Sequence, residues 1–345
     1  MLYVTTVDKN DAHTAARTFL EDRGPDGGLY VPRQLPCFTI DDFAGLVQIS
    51  FGERVAKMLN AFFSTKLTGW DVDSAIGRCP VKVATMSHRI FLLELWRNLD
   101  GSYEQLEKIL AAKIRNDGNM RQRVSSWLRI AIRIALLFAS YAELVRTKAL
   151  DWEKPVDVSV VSGDLSAVMS LWYAREIGLP IANIICSCNE NCALWDLLHH
   201  GEVKTDVQTI PTTTPLADVG LPVELERLIY GAFGWQHTKD FLHICKNRGL
   251  YVPPAEEFDC LRNGFFAAVV SRARVDVLIS SVYRTSSYAI GPYTALAYGG
   301  LTDYRAKTGE SRVALILAER SPVQDAAVVA QAMGVTEQQL LTQLD

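Results

Sequence analysis

Residues 156–188 read VDVSVVSGDLSAVMSLWYAREIGLPIANIICSC. Val156 to Val161 is a β-branched run, Ser162-Gly163-Asp164 turns the chain, and the segment through Ala174 predicts a helix that Gly178 and Pro180 end. Ala182 to Cys186 is a second apolar strand. Two strands joined by a helix form a βαβ unit and run parallel. The same grammar recurs toward the C-terminal end: a helix to Arg274, a strand over Val275 to Ser280, a helix from Pro292, a strand over Val313 to Leu317, a helix from Pro322 and a last capped helix near Thr336-Glu337-Gln338-Gln339. The pattern predicts an α/β fold with helices on both faces of a mostly parallel sheet.

Upstream, a long helix is predicted over Met120 to Lys148. Its most apolar stretch, Trp127 to Ala142, carries Arg129 and Arg133 and falls short of the ~18 uninterrupted apolar residues a membrane span needs. It reads as a buried or interface helix, and its arginines as solvated or interface charges rather than an anion site. Asn116-Asp117-Gly118-Asn119 separates it from a helix over Tyr103 to Ile114, where Ser102 with Gln105 fits a capping box and puts Glu104 in the first turn. Residues 1 to about 90 mix short helices and turns, with the cluster Arg23-Gly24-Pro25-Asp26-Gly27-Gly28 leading into an extended Leu29-Tyr30-Val31-Pro32. The string Gly-Leu-Tyr-Val-Pro returns at 249–253, which predicts two similar turn-to-strand passages and no repeat architecture.

The 345 residues suffice for about two domains. With 49% apolar and 21% charged residues the chain is globular, and a net charge of −4 supplies no basic field for nucleic acid. Seven cysteines are an odd number, and the opening MLYVTTVDKN lacks a basic segment followed by an apolar one, so the expectation is a cytoplasmic protein with reduced thiols and no membrane association. Cys186, Cys188 and Cys192 lack a fourth ligand at defined spacing and read as buried thiols, with no metal. His199-His200 before Gly201 suits a helix C-terminus.

Several strings, in order along most of the chain, resemble the threonine synthase family. They are RGPDGGLYVPRQLP at 23–36, the SGD turn with IGLPIANIICSCNEN at 177–191, LLHHGEV at 197–203, GPYTALAY at 291–298 and LILAERSP at 315–322. That family comprises fold type II, tryptophan synthase β-like, pyridoxal-phosphate (PLP) enzymes of amino-acid metabolism that make threonine from O-phosphohomoserine. The resemblance implies a family-type N-terminal domain at 1–90 and an α/β PLP-enzyme domain at 91–345.

The chemistry of such an enzyme needs a lysine for the cofactor imine, a glycine-rich phosphate loop, and groups aimed at O3′ and the pyridine nitrogen. The string similar to the family's lysine motif, Glu94-Leu95-Trp96-Arg97-Asn98-Leu99-Asp100, leads to Glu104, and a carboxylate cannot form an imine. Only Leu106 to Asn119 lies where a strand, a phosphate loop and a small cofactor domain belong, so that domain reads as largely deleted. Asp164 stands at the position of the asparagine that contacts O3′, and Glu319 at that of the hydroxyl facing the pyridine nitrogen. The expectation is a catalytically inactive relative without catalytic residues or covalent PLP, acting in binding, regulation or assembly. The alternative is an active PLP-dependent lyase on O-phosphohomoserine or a related amino acid, using Lys108 or Lys113.

Each changed residue has a structural reading as well: Glu104 favoured by the helix dipole and paired with Lys108, and Asp164 or Ser166 capping its helix. A surviving pocket is expected at Ser162, Gly163, Asp164 and Glu319, where open α/β sheets bind ligands. Its two carboxylates would make it acidic, favouring a cationic or amino-bearing small molecule. A homo-oligomer or partner protein is expected on a face of the long helix formed by Trp127, Ile130, Ile134, Leu137, Phe138 and Tyr141, unless that face is ordinary core.

Overall fold

The computed structural model describes residues 1–18, 21–78, 81–87, 89–96, 102–115, 125–152 and 154–344. At the N-terminus β1 (Leu2–Thr5) lies between β2 (His13–Thr14) and β3 (Tyr30–Pro32) in an antiparallel sheet, with α1 (Ala15–Thr18) following β2. Three helices follow, α2 (Ile40–Gln48), α3 (Phe51–Phe63) and α4 (Gly69–Ile76), and each opens on a capping box: Thr39 with Asp42, Ser50 with Glu53, Thr68 with Asp71. In each the hydroxyl accepts the N–H of the acidic residue while that carboxylate accepts the cap's own N–H, an arrangement worth about 1 kcal/mol per helix.

Then come β4 (Lys82–Ser87), β5 (Ile90–Glu94), α5 (Ser102–Arg115), α6 (Ser126–Arg146), β6 (Val156–Val161), α7 (Ser166–Ile177) and β7 (Ile181–Cys188). The chain continues through α8 (Ala193–His200), β8 (Val203–Lys204), α9 (Leu225–Lys246), β9 (Leu250–Tyr251), α10 (Ala255–Arg262), β10 (Phe265–Val269), α11 (Arg272–Ser286), α12 (Pro292–Thr308), β11 (Ala314–Ala318), α13 (Ala326–Met333) and α14 (Glu337–Leu344). The central sheet has the order β10-β7-β6-β11-β5-β4, parallel throughout except for β4, which runs antiparallel to β5. The α/β fold with a mostly parallel sheet and helices on both faces is therefore the one the sequence predicts. Strand β4, on the N-terminal side of the expected boundary at residue 90, hydrogen-bonds into this sheet. Between β5 and β6 the described residues hold two helices and no strand.

Both faces of the sheet are buried, so side chains alternate between two cores. Leu315 and Leu317 of β11 join Val156, Val158 and Val160 against α6 and α7, while Ala314, Ile316 and Ala318 face α11 and α12. The first core is continuous with the N-terminal helices, whose Phe43, Leu46, Met58 and Phe62 pack toward α6. Glu226 on α9 ties the same module down: its carboxylate accepts from the N–H of Leu29 at 2.8 Å, from Arg23 at 2.6 Å and from the Thr6 hydroxyl.

Three expectations change. Val275 to Ser280 is helical, inside α11, and the preceding strand is Phe265–Val269; Val275, Ile279 and Val282 are buried at helical spacing, and packing overrides their β-branched character. Trp127, Ile130, Ile134, Leu137, Phe138 and Tyr141 are buried inside this chain, and Trp127 Nε1 donates to Tyr3 Oη at 3.2 Å, so they offer no face to a partner. Cys188 and Cys192 form a disulfide in place of reduced thiols: the tight turn at the end of β7 brings their Cα atoms to 5.7 Å. Cys186 is a buried thiol as expected, and burial pushes it well above the usual thiol range. The two Gly-Leu-Tyr-Val-Pro strings both enter short strands, β3 and β9. No helix among the described residues is long and apolar enough to cross a membrane.

Candidate functional site

At the C-terminal ends of β6 and β11 lies a cavity of about 430 Å³, and Ser162, Gly163, Asp164 and Glu319 all line it. The loop that leaves β6 is built for close turning. Gly163 has φ +41° and Leu165 φ +66°, so one glycine and one leucine take left-handed conformations before α7 begins at Ser166. A leucine there is strained by about 1 kcal/mol or more, the sort of strain found beside functional sites. The Asp164 carboxylate does serve the start of its own helix: Oδ1 accepts from Ser166 N at 2.9 Å and from Ser166 Oγ at 2.6 Å. Ser162 Oγ donates to the carbonyl of Ser187 at 3.2 Å. The cavity nevertheless stays open, and Asp164 faces solvent at its rim.

Two arginines correct the expectation of an acidic cleft. Arg133, on α6, donates from Nε to Glu319 Oε1 at 2.6 Å and from a terminal nitrogen to Ser166 Oγ at 3.2 Å. Glu319, Arg133, Ser166 and Asp164 thus form one hydrogen-bonded chain along the wall. Arg320 pairs with Asp325 at 2.7 Å and lies 5.5 Å from the centroid of the Tyr293 ring, within the range of a cation–π contact. Two carboxylates and two guanidiniums therefore line one pocket, with the Trp96 and Tyr293 rings and the two serine hydroxyls. Burial raises the Tyr293 phenol above its ordinary pKa of 10.0, so it stays protonated at neutral pH, and its oxygen accepts the N–H of Leu216 at 3.1 Å.

Leu216 and Ala217 form a further wall beside Gly163, on a short 3-10 turn. That turn is held from behind by Asp218, which accepts from Asn189 Nδ2 at 2.7 Å, Thr212 Oγ1 at 2.6 Å and Thr212 N at 2.8 Å. Asn189 and Asn191 sit between Cys188 and Cys192, so the disulfide encloses the turn that anchors this wall.

The sequence singled out four lining residues and missed Trp96, Arg133, Tyr293 and Arg320. A signal for Arg133 exists: a cation inside an apolar helix that packs on both sides must find a carboxylate. Glu104 lies in the first turn of α5, and its side chain is outside the described residues. Lys108 is exposed, and Lys113 is committed to Asp71 at 2.8 Å in the N-terminal module. Neither lines the cavity, nor does any other lysine among the described residues. From Leu106 to Ser125 the sequence holds a single glycine, Gly118. An amine for an imine and a backbone cradle for a phosphate are what covalent PLP requires, and this donor set does not fit it.

The threonine synthase N terminus family model matches residues 2–79. Threonine synthase-like 1 of Homo sapiens is 27% identical over 176 residues, covering 50% of this chain and 24% of that protein. The threonine synthase of Corynebacterium glutamicum is 24% identical over 254 residues, 70% of this chain and 51% of that protein. The matches thus span about a quarter to a half of these relatives. Among solved structures, PLP-bound threonine synthase from Brucella melitensis superimposes with a TM-score of 0.83 at 18% identity, covering 97% of this chain and 92% of that one, and the yeast threonine synthase with 0.79 at 14% identity.

Proposed function

We propose that this chain, which has the fold of threonine synthases and their N-terminal domain at residues 2–79, is a catalytically inactive relative of those enzymes that works by binding. The observation that carries the reading is the composition of the cavity at the end of β6 and β11: it is open, about 430 Å³, and lined by Arg133, Arg320, Asp164 and Glu319 with no lysine among the described residues. A pocket with this position and without an amine can hold a small molecule and cannot form an imine with it. The paired charges suit a dipolar ligand, one bearing an amino group toward Asp164 or Glu319 and an acidic group toward the guanidiniums.

The test is turnover. Purified protein supplied with PLP and O-phosphohomoserine should release no threonine above the level of a protein-free control. Threonine formation that scales with protein and is lost in Lys108→Ala or Lys113→Ala overturns the proposal in favour of an active lyase.

A further inference from the structure

We propose that the opposite end of the central sheet carries a second small-molecule site, one that takes a di- or triphosphorylated ligand of nucleotide size. A cavity of about 770 Å³ opens at the N-terminal ends of β5, β6 and β11, the far end of the strands whose other end forms the pocket described above. Ligand sites generally fall between about 300 and 1,000 Å³, so the space suits a body larger than free phosphate.

The walls divide by chemistry. Val145, Leu150, Pro155, Val156 and Val313 make an apolar floor. Arg89, Lys148, Lys154 and Arg312 are its cations, against Asp151 as its carboxylate. This concentration of positive charge stands on a chain whose net charge is −4. Lys154 is paired with Asp151 at 3.2 Å, and Arg312 with Glu310 at 3.2 Å and the buried Asp157 at 3.8 Å. Arg89 and Lys148 make no ion pair among the described residues; Arg89 donates to the carbonyl of Ser311 at 3.3 Å.

Their backbones sharpen the point. Arg89 has φ +67° and Lys148 φ +60°, conformations that glycine takes without strain. Arg89 sits at the turn from β4 into β5 and Lys148 just beyond the end of α6, so two tight corners that glycine would serve instead carry cations into one cavity. The α6 C-terminus favours a cation at Lys148, but it offers nothing to Arg89, which belongs to another element. Like charges gathered over an apolar floor repel one another until a multivalent anion joins them. A guanidinium fork and ammonium groups match phosphate oxygens, and the floor matches a flat or apolar body.

Calorimetry of the intact protein with ADP and with inorganic pyrophosphate, at about 0.15 M ionic strength, tests this. ADP should bind at one site and more tightly than pyrophosphate. Arg89→Glu and Lys148→Glu should each weaken it about tenfold or more, and the double variant about a hundredfold, while Lys246→Glu, at an exposed lysine outside the cavity lining, and Glu319→Gln in the other pocket leave it unchanged. Both replaced side chains are exposed, and an unchanged Tm checks that the variants fold. Absence of saturable ADP binding at millimolar concentration, pyrophosphate binding as tight as ADP, or full binding by the double variant overturns the proposal. Loss of ADP binding in Glu319→Gln overturns it too, by placing the ligand in the first pocket.

Discussion

Arg133 and Glu319, 186 positions apart in the chain, are joined across one wall of the cavity by a 2.6 Å hydrogen bond from Nε to Oε1. The bond links α6 to the end of β11, and through Ser166 it reaches the loop after β6. It turns what would be an acidic cleft into one with balanced charge. Both side chains are about three-quarters removed from solvent, with 20% and 26% of their surface exposed, which places the pair between a surface salt bridge and a buried one.

A double-mutant cycle with Arg133→Met and Glu319→Gln should therefore return a coupling of about 1 kcal/mol at neutral pH. Urea unfolding measures it. A coupling within error of zero would mean the pair does not hold the wall.

Glu226 should be the most sensitive polar residue joining the N-terminal module to the rest. It is 1% exposed and accepts from Leu29, Arg23 and Thr6, so Glu226→Ala takes the acceptor from the buried Thr6 hydroxyl, leaves the Leu29 N–H only its contact with Thr6 Oγ1, and frees Arg23 of its ion pair. The expected loss is about 3 kcal/mol, with earlier protease cleavage in the turn at 23–28. Glu226→Gln keeps an acceptor and should cost less. Equal losses in the two variants would contradict the hydrogen-bond account.

Acid should act through Glu143. Its hydrogen bond to Arg146, and beside it that to Arg54, hold its carboxyl down at about 2 from an ordinary 4.5. A depressed folded-state pKa gives stability that is complete above about pH 4.5 and is lost as the pH falls toward 2. With solvent screening allowed for, about 1 to 2 kcal/mol should drain away in that window. Unfolding curves at pH 6 and pH 3 should show Glu143→Gln to be flatter than the parent; parallel behaviour would rule Glu143 out as the sensor.

The βαβ unit at 156–188 was legible because its signals are local: a β-branched run, a Ser-Gly-Asp turn, a glycine and proline that end the helix. The same locality placed Ser162, Gly163 and Asp164 together, and the position of Glu319 at the end of β11 brought it to the same cavity. What was not legible depends on pairing across the chain. The destination of Arg133 is set by α6 packing against β11 and α7, which no window around residue 133 contains. Val275 to Ser280 misled for the converse reason, since its β-branched residues satisfy a strand pattern while their burial at positions 275, 279 and 282 follows the helix. The Cys188–Cys192 bond came from a turn whose tightness depends on Asn189 and Asn191 reaching Asp218.

Reduction of that bond should loosen the wall it supports. Cys188→Ser with Cys192→Ser should raise hydrogen exchange in residues 209–218 and leave exchange in the β6 and β11 core unchanged, because the affected hydrogen bonds run from Asn189 and Asn191 to that loop. Uniform protection in both proteins would show that the asparagines hold the wall unaided.

The central claim is that no lysine of this chain holds pyridoxal phosphate. Absorbance of the protein with stoichiometric PLP, followed by borohydride reduction and peptide mapping, tests it most directly. The account predicts no saturable yellow imine band and no single lysine labelled in stoichiometric amount. A reducible band with the label fixed on one residue, Lys108 or Lys113 above all, would contradict it.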